Sequence, residues 1–195
     1  MHQIRIVLLI VLSLTLLSTT AFSKDNYPSK EEVAKMAKEA TSLMKNDNYE
    51  KSLIKSRIAL NFAIALKDDN LIATCYNTIA ANFDELAEFE KAFFYYQKGL
   101  LYANRTNNNQ LKNWLNNNLG NIYCFDKKEY SKGISYYKKS LAYSTKMKDS
   151  SEIVFTKLNI TWAYFDIGNF TAGLPYLNFV NKYYEKFGNE SSEEI

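Results

Sequence analysis

The sequence predicts an all-α solenoid of four helix-turn-helix repeats, and three observations carry that reading. Aromatic residues at the exits of short polar turns, Tyr49, Phe89, Tyr130 and Phe170, are spaced by 40, 41 and 40 residues. A fixed period in the range of about 20–50 residues marks a chain built from units that bury their apolar faces only against one another. Small residues stand at set offsets from these aromatics. Ala40, Ala80, Gly120 and Thr161 precede them by nine or ten positions, and Ser52, Ala92, Gly133 and Gly173 follow by three. Ala59, Gly99 and Ser140 follow by ten, a rule that Val180 breaks in the last unit. Small side chains at such points let two helices approach closely. Finally, the 195 residues include six Gly and two Pro, with 47% hydrophobic and 15% aromatic residues. That composition suits helices around a packed core better than a turn-rich β fold.

Residues 1–23 read as a secretory signal. Arg5 supplies positive charge, residues 6–17 form a twelve-residue apolar run, and Ala21-Phe22-Ser23 fits a small-x-small cleavage site. Cleavage after Ser23 is expected, with the mature chain exported to a periplasm or secreted. The run is shorter than the roughly 20 residues of a spanning helix, so a membrane contact is expected only if the segment stays uncleaved.

Ser29 with Glu32 three residues on forms a capping box that opens the first helix. Val33, Met36, Ala37, Ala40, Leu43 and Met44 make one apolar stripe along it. Asn46-Asp47-Asn48 turns the chain into a second helix over about 49–66. A third helix is expected over about 71–86 and a fourth over 89–103. The run Phe93-Phe94-Tyr95-Tyr96 puts aromatics all round the fourth helix, as an element covered on most sides requires. After the polar turn at 106–109 come a fifth helix, 110–125, and a sixth, 130–147. Asp149 and Glu152 give a second capping-box-like start to the seventh, 150–167. The eighth, 170–187, contains Pro175, which lacks a backbone donor and is expected to kink it. The solenoid thus spans 24–188, with repeats at about 29–67, 70–106, 109–147 and 150–187, and residues 189–195 form a polar tail. Terminal repeats need a polar outer face, yet the eighth helix still carries Leu174, Leu177, Phe179, Val180, Tyr183 and Tyr184. Either that side is exposed, or it meets a partner or a second copy, or the chain is the front part of something longer.

This pattern resembles the tetratricopeptide repeat over about 29–187. The second and third units match best, through Ala80-Phe83-Phe89-Ala92-Tyr96-Gly99 and Gly120-Tyr123-Tyr130-Gly133-Tyr137-Ser140. The usual period is about 34 residues, so each helix here is longer by nearly a turn. The proline that often ends the second helix is replaced by Asp/Asn-rich turns such as Lys67-Asp68-Asp69-Asn70. The resemblance implies a right-handed superhelix whose first helices line a concave groove, and a non-catalytic scaffold for protein–protein interaction.

The candidate site lies on those first helices. Trp114, Asn117, Asn121 and Phe125 follow at spacings of three, four and four, with Asn118 alongside. Phe155, Asn159, Trp162 and Asp166 follow at four, three and four on the seventh helix, and Thr74, Asn77, Ala81 and Asp84 or Glu85 at three or four on the third. Each set shares one helical face. An asparagine amide both donates and accepts, so it can hold an extended peptide backbone without reading sequence. Trp and Phe offer rigid apolar pockets. The expected partner-binding residues are Asn77, Trp114, Asn117, Asn118, Asn121, Phe125, Phe155, Asn159 and Trp162, facing a peptide or protein. The competing reading has Trp114 and Trp162 packing between repeats and the asparagines reflecting composition.

No other chemistry is legible. The single histidine, His2, falls in the leader, which excludes histidine-based catalysis and histidine-metal sites from the mature chain. Asp84 and Glu85 read as a solvated helix end. Cys75 and Cys124 lie in different repeats without metal or redox spacing; they read as buried apolar side chains, a disulfide being the alternative. The net charge of +3 is small and evenly spread, giving no nucleic-acid footprint. Neither an enzyme nor a cofactor is expected. A second functional class stays open: a stand-alone or truncated periplasmic sensor region of a bacterial signalling protein, of the histidine kinase or helix-turn-helix regulator type.

Overall fold

The computed structural model describes residues 27–187; of these 84% are helical and none is in a strand. The expected leader and the polar tail lie outside the described residues. Eight α-helices follow in series: α1 (Lys30–Lys45), α2 (Tyr49–Ala65), α3 (Asp69–Glu85), α4 (Phe89–Ala103), α5 (Asn109–Asn121), α6 (Tyr130–Met147), α7 (Ser150–Asp166) and α8 (Phe170–Phe187). Each packs on the next, and α1 also packs on α3. This is the expected all-α solenoid of paired helices.

The capping box at its start is complete. Glu32 N–H donates to Ser29 Oγ at 3.2 Å and Ser29 N–H to Glu32 Oε2 at 2.7 Å. Six of the seven turns between the described helices share one device. Asp47, Lys67, Ala87, Lys128, Lys148 and Gly168 all take φ between 55° and 71°. After each, the next amide reaches back: Asn48 to Leu43 O at 2.9 Å, Asp68 to Ala63 O at 3.1 Å, Glu88 to Phe83 O at 2.8 Å, Asp149 to Ser144 O at 3.1 Å and Asn169 to Tyr164 O at 2.9 Å. A left-handed residue closing a bond of this span satisfies carbonyls that a helix end leaves orphaned. Only one of these residues is glycine, so five turns accept the strain of a side chain in that region.

One of these six differs in its span, and it corrects the expected fifth helix. The α-helix ends at Asn121, and Ile122–Asp126 is a π-helical turn. Glu129 N–H then reaches back six residues, to Tyr123 O at 2.7 Å. The π turn absorbs one extra residue. That residue is why Tyr130 follows Phe89 by 41 positions where the other spacings are 40.

All the small positions that mark the repeat are buried, Val180 and Thr161 included. The closest approach is at Gly133. A Cβ there would lie 2.1 Å from Cys124 Sγ, 3.0 Å from Gly120 O and 3.2 Å from Cys124 N. At Gly120 it would strike the Tyr137 ring at 2.5 Å. The core follows the stack: Val33, Ala59 and Cys75 at one end, Ile79, Tyr96 and Leu115 in the middle, and Cys124, Tyr137 and Ile160 beyond. Both cysteines are unpaired, and burial pushes the thiols up, to about 12 for Cys75 and about 11 for Cys124. They act as small apolar side chains.

The last helix is covered on one side. Val180 and Gly173 are its buried residues, whereas Phe170, Leu174, Phe179, Tyr184 and Phe187 are exposed. Pro175 is accommodated inside α8, which runs unbroken from Phe170 to Phe187. No described helix is long and apolar enough to cross a membrane.

Gly133→Ala is expected to destabilise the chain by about 1–3 kcal/mol, as overpacking at a fixed contact does. Urea unfolding should show a lower midpoint at unchanged slope. Adding Cys124→Ala, which removes the clashing sulfur, should recover part of the loss.

Candidate functional site

The period stacks the first helix of each pair on one side of the solenoid, where they enclose a cleft of ≈ 500 Å³. α1 contributes Thr41, Met44 and Lys45, and α3 contributes Asn77 and Ala81. α5 contributes Trp114, Asn117 and Asn118, and α7 contributes Ser151, Glu152 and Phe155. Five of the expected site residues therefore meet here: Asn77, Trp114, Asn117, Asn118 and Phe155. Asn121, Phe125, Asn159 and Trp162 do not line this cleft. Phe125 sits in the π turn, where the α-helical spacing used to place it on the Trp114 face no longer holds. Its side chain and that of Trp162 are exposed.

Hydrogen bonds show which of these groups are already engaged. Thr41 and Thr78 hydroxyls meet at 2.9 Å between α1 and α3. Between α5 and α7, Asn159 Nδ2 donates to Asn117 Oδ1 at 2.9 Å, and Asn117 is buried. Asn121 Oδ1 accepts from Tyr137 OH at 2.8 Å. Asn117, Asn121 and Asn159 thus tie helices together, using amide groups expected to be free for a peptide. Asn77 is different. Its Oδ1 is buried and has no hydrogen-bond partner. Asn82 and Asn116 share that condition at Oδ1, but their amide nitrogens are bonded within the fold, to Ser52 Oγ and Thr78 O and to Lys112 O respectively. Of the three, Asn77 alone lines the cleft.

The residue that sequence reasoning missed is Glu152. Half of its expected capping role is present, because Glu152 N–H donates to Asp149 Oδ1 at 3.1 Å. Its carboxylate turns instead to α5. Oε1 accepts from Gln110 Nε2 at 3.1 Å and Trp114 Nε1 at 2.7 Å, and Oε2 accepts from Asn113 Nδ2 at 2.7 Å. The signal was available: Gln110, Asn113 and Trp114 are side-chain donors at i, i+3 and i+4 on one helical face. Trp114 therefore serves both readings at once. Its indole N–H joins two repeats while its ring stays 44% exposed in the cleft.

No family model matches the chain. Among curated proteins, it is 39% identical over 54 residues to "uncharacterized protein ycf37" of Guillardia theta, a stretch that covers 28% of this chain and 30% of that protein. Solved structures resemble it far more extensively. The apo form of RapI matches with a TM-score of 0.71 at 20% identity, over 80% of this chain and 43% of RapI. BtubC (BKLC) from P. vanneervenii gives 0.69 at 18%, over 80% and 64%. A Rap protein complexed with Competence and Sporulation Factor gives 0.70 at 16%, over 83% and 46%. The chain spans less than two thirds of each. At such identities the likeness is one of fold, and that fold is a TPR-like helical-repeat solenoid.

Asp84, on the same stripe of α3, corrects the reading of a solvated helix end; Glu85 beside it is exposed. Burial pushes the Asp84 carboxyl up to about 6, against a hydrogen bond from Tyr96 OH at 3.1 Å that favours its ionised form; the charges of Asp126 and Glu85 raise it further. A carboxyl raised above its unfolded value contributes stability that is present below the unfolded value, near 4, and lost as pH rises through about 6. Asp84→Asn, which keeps an acceptor for Tyr96, should remove that contribution to the slope. Urea titrations from pH 4 to 7 should show the parent losing stability relative to the variant across this window.

Proposed function

We propose that the chain is a non-catalytic scaffold that holds an extended peptide segment of a protein partner in the cleft between α1, α3, α5 and α7. The observation that carries this reading is Asn77 Oδ1, a buried acceptor without a donor at the cleft wall. Leaving such an atom unmet costs roughly 1–3 kcal/mol, and a turn of the amide that brings it into the cleft would let a peptide N–H satisfy it. Asn118 can supply further amide contacts, and the exposed rings of Trp114 and Phe155 can flank side chains. Trp162 and Phe125 would extend the surface, with Asn117, Asn121 and Asn159 holding the walls in place. The Rap structure cited above is a solenoid of similar fold in complex with a partner, which supports the reading. We also propose export, with cleavage after Ser23 and a mature solenoid over 24–188; these rest on the sequence. The exposed apolar side of α8 favours a second reading, a periplasmic sensor region whose last helix is covered by the module it signals through.

Asn77→Ala with Phe155→Ala tests the groove. Capped linear peptides selected from a library against the purified parent should bind the variant at least about tenfold more weakly, given about 1 kcal/mol for the hydrogen bond plus the lost aromatic contact. Asn77→Ala alone should leave thermal stability unchanged or raised, because it deletes an unmet acceptor. Equal binding of the selected peptides to parent and variant would sink the proposal.

A further inference from the structure

The cleft contains a negative charge that no lysine or arginine among the described residues pairs with. Glu152 receives three hydrogen bonds, all from neutral groups. It makes no ion pair with a lysine or arginine among the described residues, where six pairs engage other acids. The three donors hold the carboxylate in one orientation and leave acceptor capacity, since a carboxylate offers about four lone-pair sites. The aromatic rings around it repeat the pattern. Across the chain, cations sit over ring faces: Lys127 lies 4.5 Å from the Phe93 centroid and Lys157 3.4 Å from that of Phe179. Neither Trp114 nor Phe155 has such a cation among the described residues, and both rings are exposed, at 44% and 52%. Phe155 follows Glu152 by three residues on α7, on the same face, and Trp114 is bonded directly to Glu152.

We propose that this corner of the cleft is a subsite for a basic side chain of the bound peptide, arginine above all. This rests on the reading of the cleft as a peptide groove and names what the groove selects. A guanidinium can donate to the free edge of the Glu152 carboxylate while its plane lies against an aromatic ring; a lysine ammonium can do only part of this. Pre-bonding from Gln110, Asn113 and Trp114 means that the carboxylate needs no reorganisation to receive it. Lys45, the basic residue on the α1 wall of the cleft, forms no ion pair with Glu152 among the described residues, so the acceptor is not already occupied from within.

The test uses three capped, dye-labelled heptapeptides of alanine, serine and leucine that differ only at the centre: arginine, its neutral isostere citrulline, or glutamate. Fluorescence anisotropy with the purified chain should show the arginine peptide binding about tenfold or more tighter than the citrulline peptide, the size of one charge-assisted hydrogen bond. Glu152→Gln should bring the two within about twofold, whatever common change in affinity follows from setting an amide NH2 against Asn113 Nδ2 or the Gln110 and Trp114 donors. Equal affinity of the arginine and citrulline peptides for the parent overturns the basic subsite and leaves the groove reading standing. Tightest binding by the glutamate peptide overturns it in favour of Lys45. If no peptide binds, the groove reading fails and the subsite with it. The parent comparison stands regardless of how the variant folds.

Discussion

The close crossing of the two helices within each repeat is the constraint on which this structure depends. It is tightest where Gly133 meets Cys124 and Gly120, leaving no room for a single added carbon. Interaxial distance is set by the side chains at the contact. With alanine, glycine and serine at these points, the backbones come together, and the larger side chains are displaced to the neighbouring layers. Tyr96 and Tyr137 fill those layers with almost no exposure. The same crossing sends the first helix of every pair to one side. The cleft is therefore a consequence of packing in the pairs, although none of its lining residues belongs to a second helix.

What was legible in the sequence was whatever repeats. Period, small positions, helix order and the Ser29–Glu32 cap all follow from local rules that the tertiary structure leaves intact. The sequence was less informative where a local rule met a long-range partner. Glu152 stands where a capping glutamate should, and its backbone N–H obeys, but three donors on α5 compete for its carboxylate and win. Asp84 looks like a helix-end acid and is instead held under Tyr96, in a place only the fold reveals. The π turn was written in the spacing of 41 residues, where an inserted residue can be absorbed by a longer loop or by a wider turn. Spacing alone does not choose between them. The packing of α6 onto the π turn at Gly133 makes the wider turn the solution that keeps the crossing.

For the candidate site, the stripe of asparagines was visible but its division of labour was not. An asparagine facing solvent and one bridging two helices occupy the same helical positions. Their fates diverge because the joints between inner helices are not equivalent. Thr41–Thr78 ties α1 to α3, and Asn117–Asn159 ties α5 to α7. Between α3 and α5 the side-chain tie among the described residues is Asn108 Nδ2 to Asn70 Oδ1 at 2.8 Å, close to the helix starts. Further along that joint Asn77 Oδ1 finds no donor, and the residue lines the cleft.

Polar groups inside a packed interface stabilise it only when fully satisfied, and among the described residues Asn77 is the cleft-lining residue that leaves a buried acceptor unmet. An unmet carbonyl at Asn77 raises the free energy of the empty protein, and the Glu152 carboxylate keeps acceptor capacity beyond its three donors. They line one cleft from different helices, Asn77 on α3 with its Oδ1 buried, and Glu152 held by three hydrogen bonds in the first turn of α7, where the helix dipole favours a negative charge. Groups held in this way lose little entropy when a ligand arrives. A solenoid built only for stability would fill that position with alanine, as it does one turn on at Ala81. Retaining a donor-seeking amide and a cation-seeking carboxylate in the lining of one cleft is what separates it from the joints tied by Thr41–Thr78 and Asn117–Asn159.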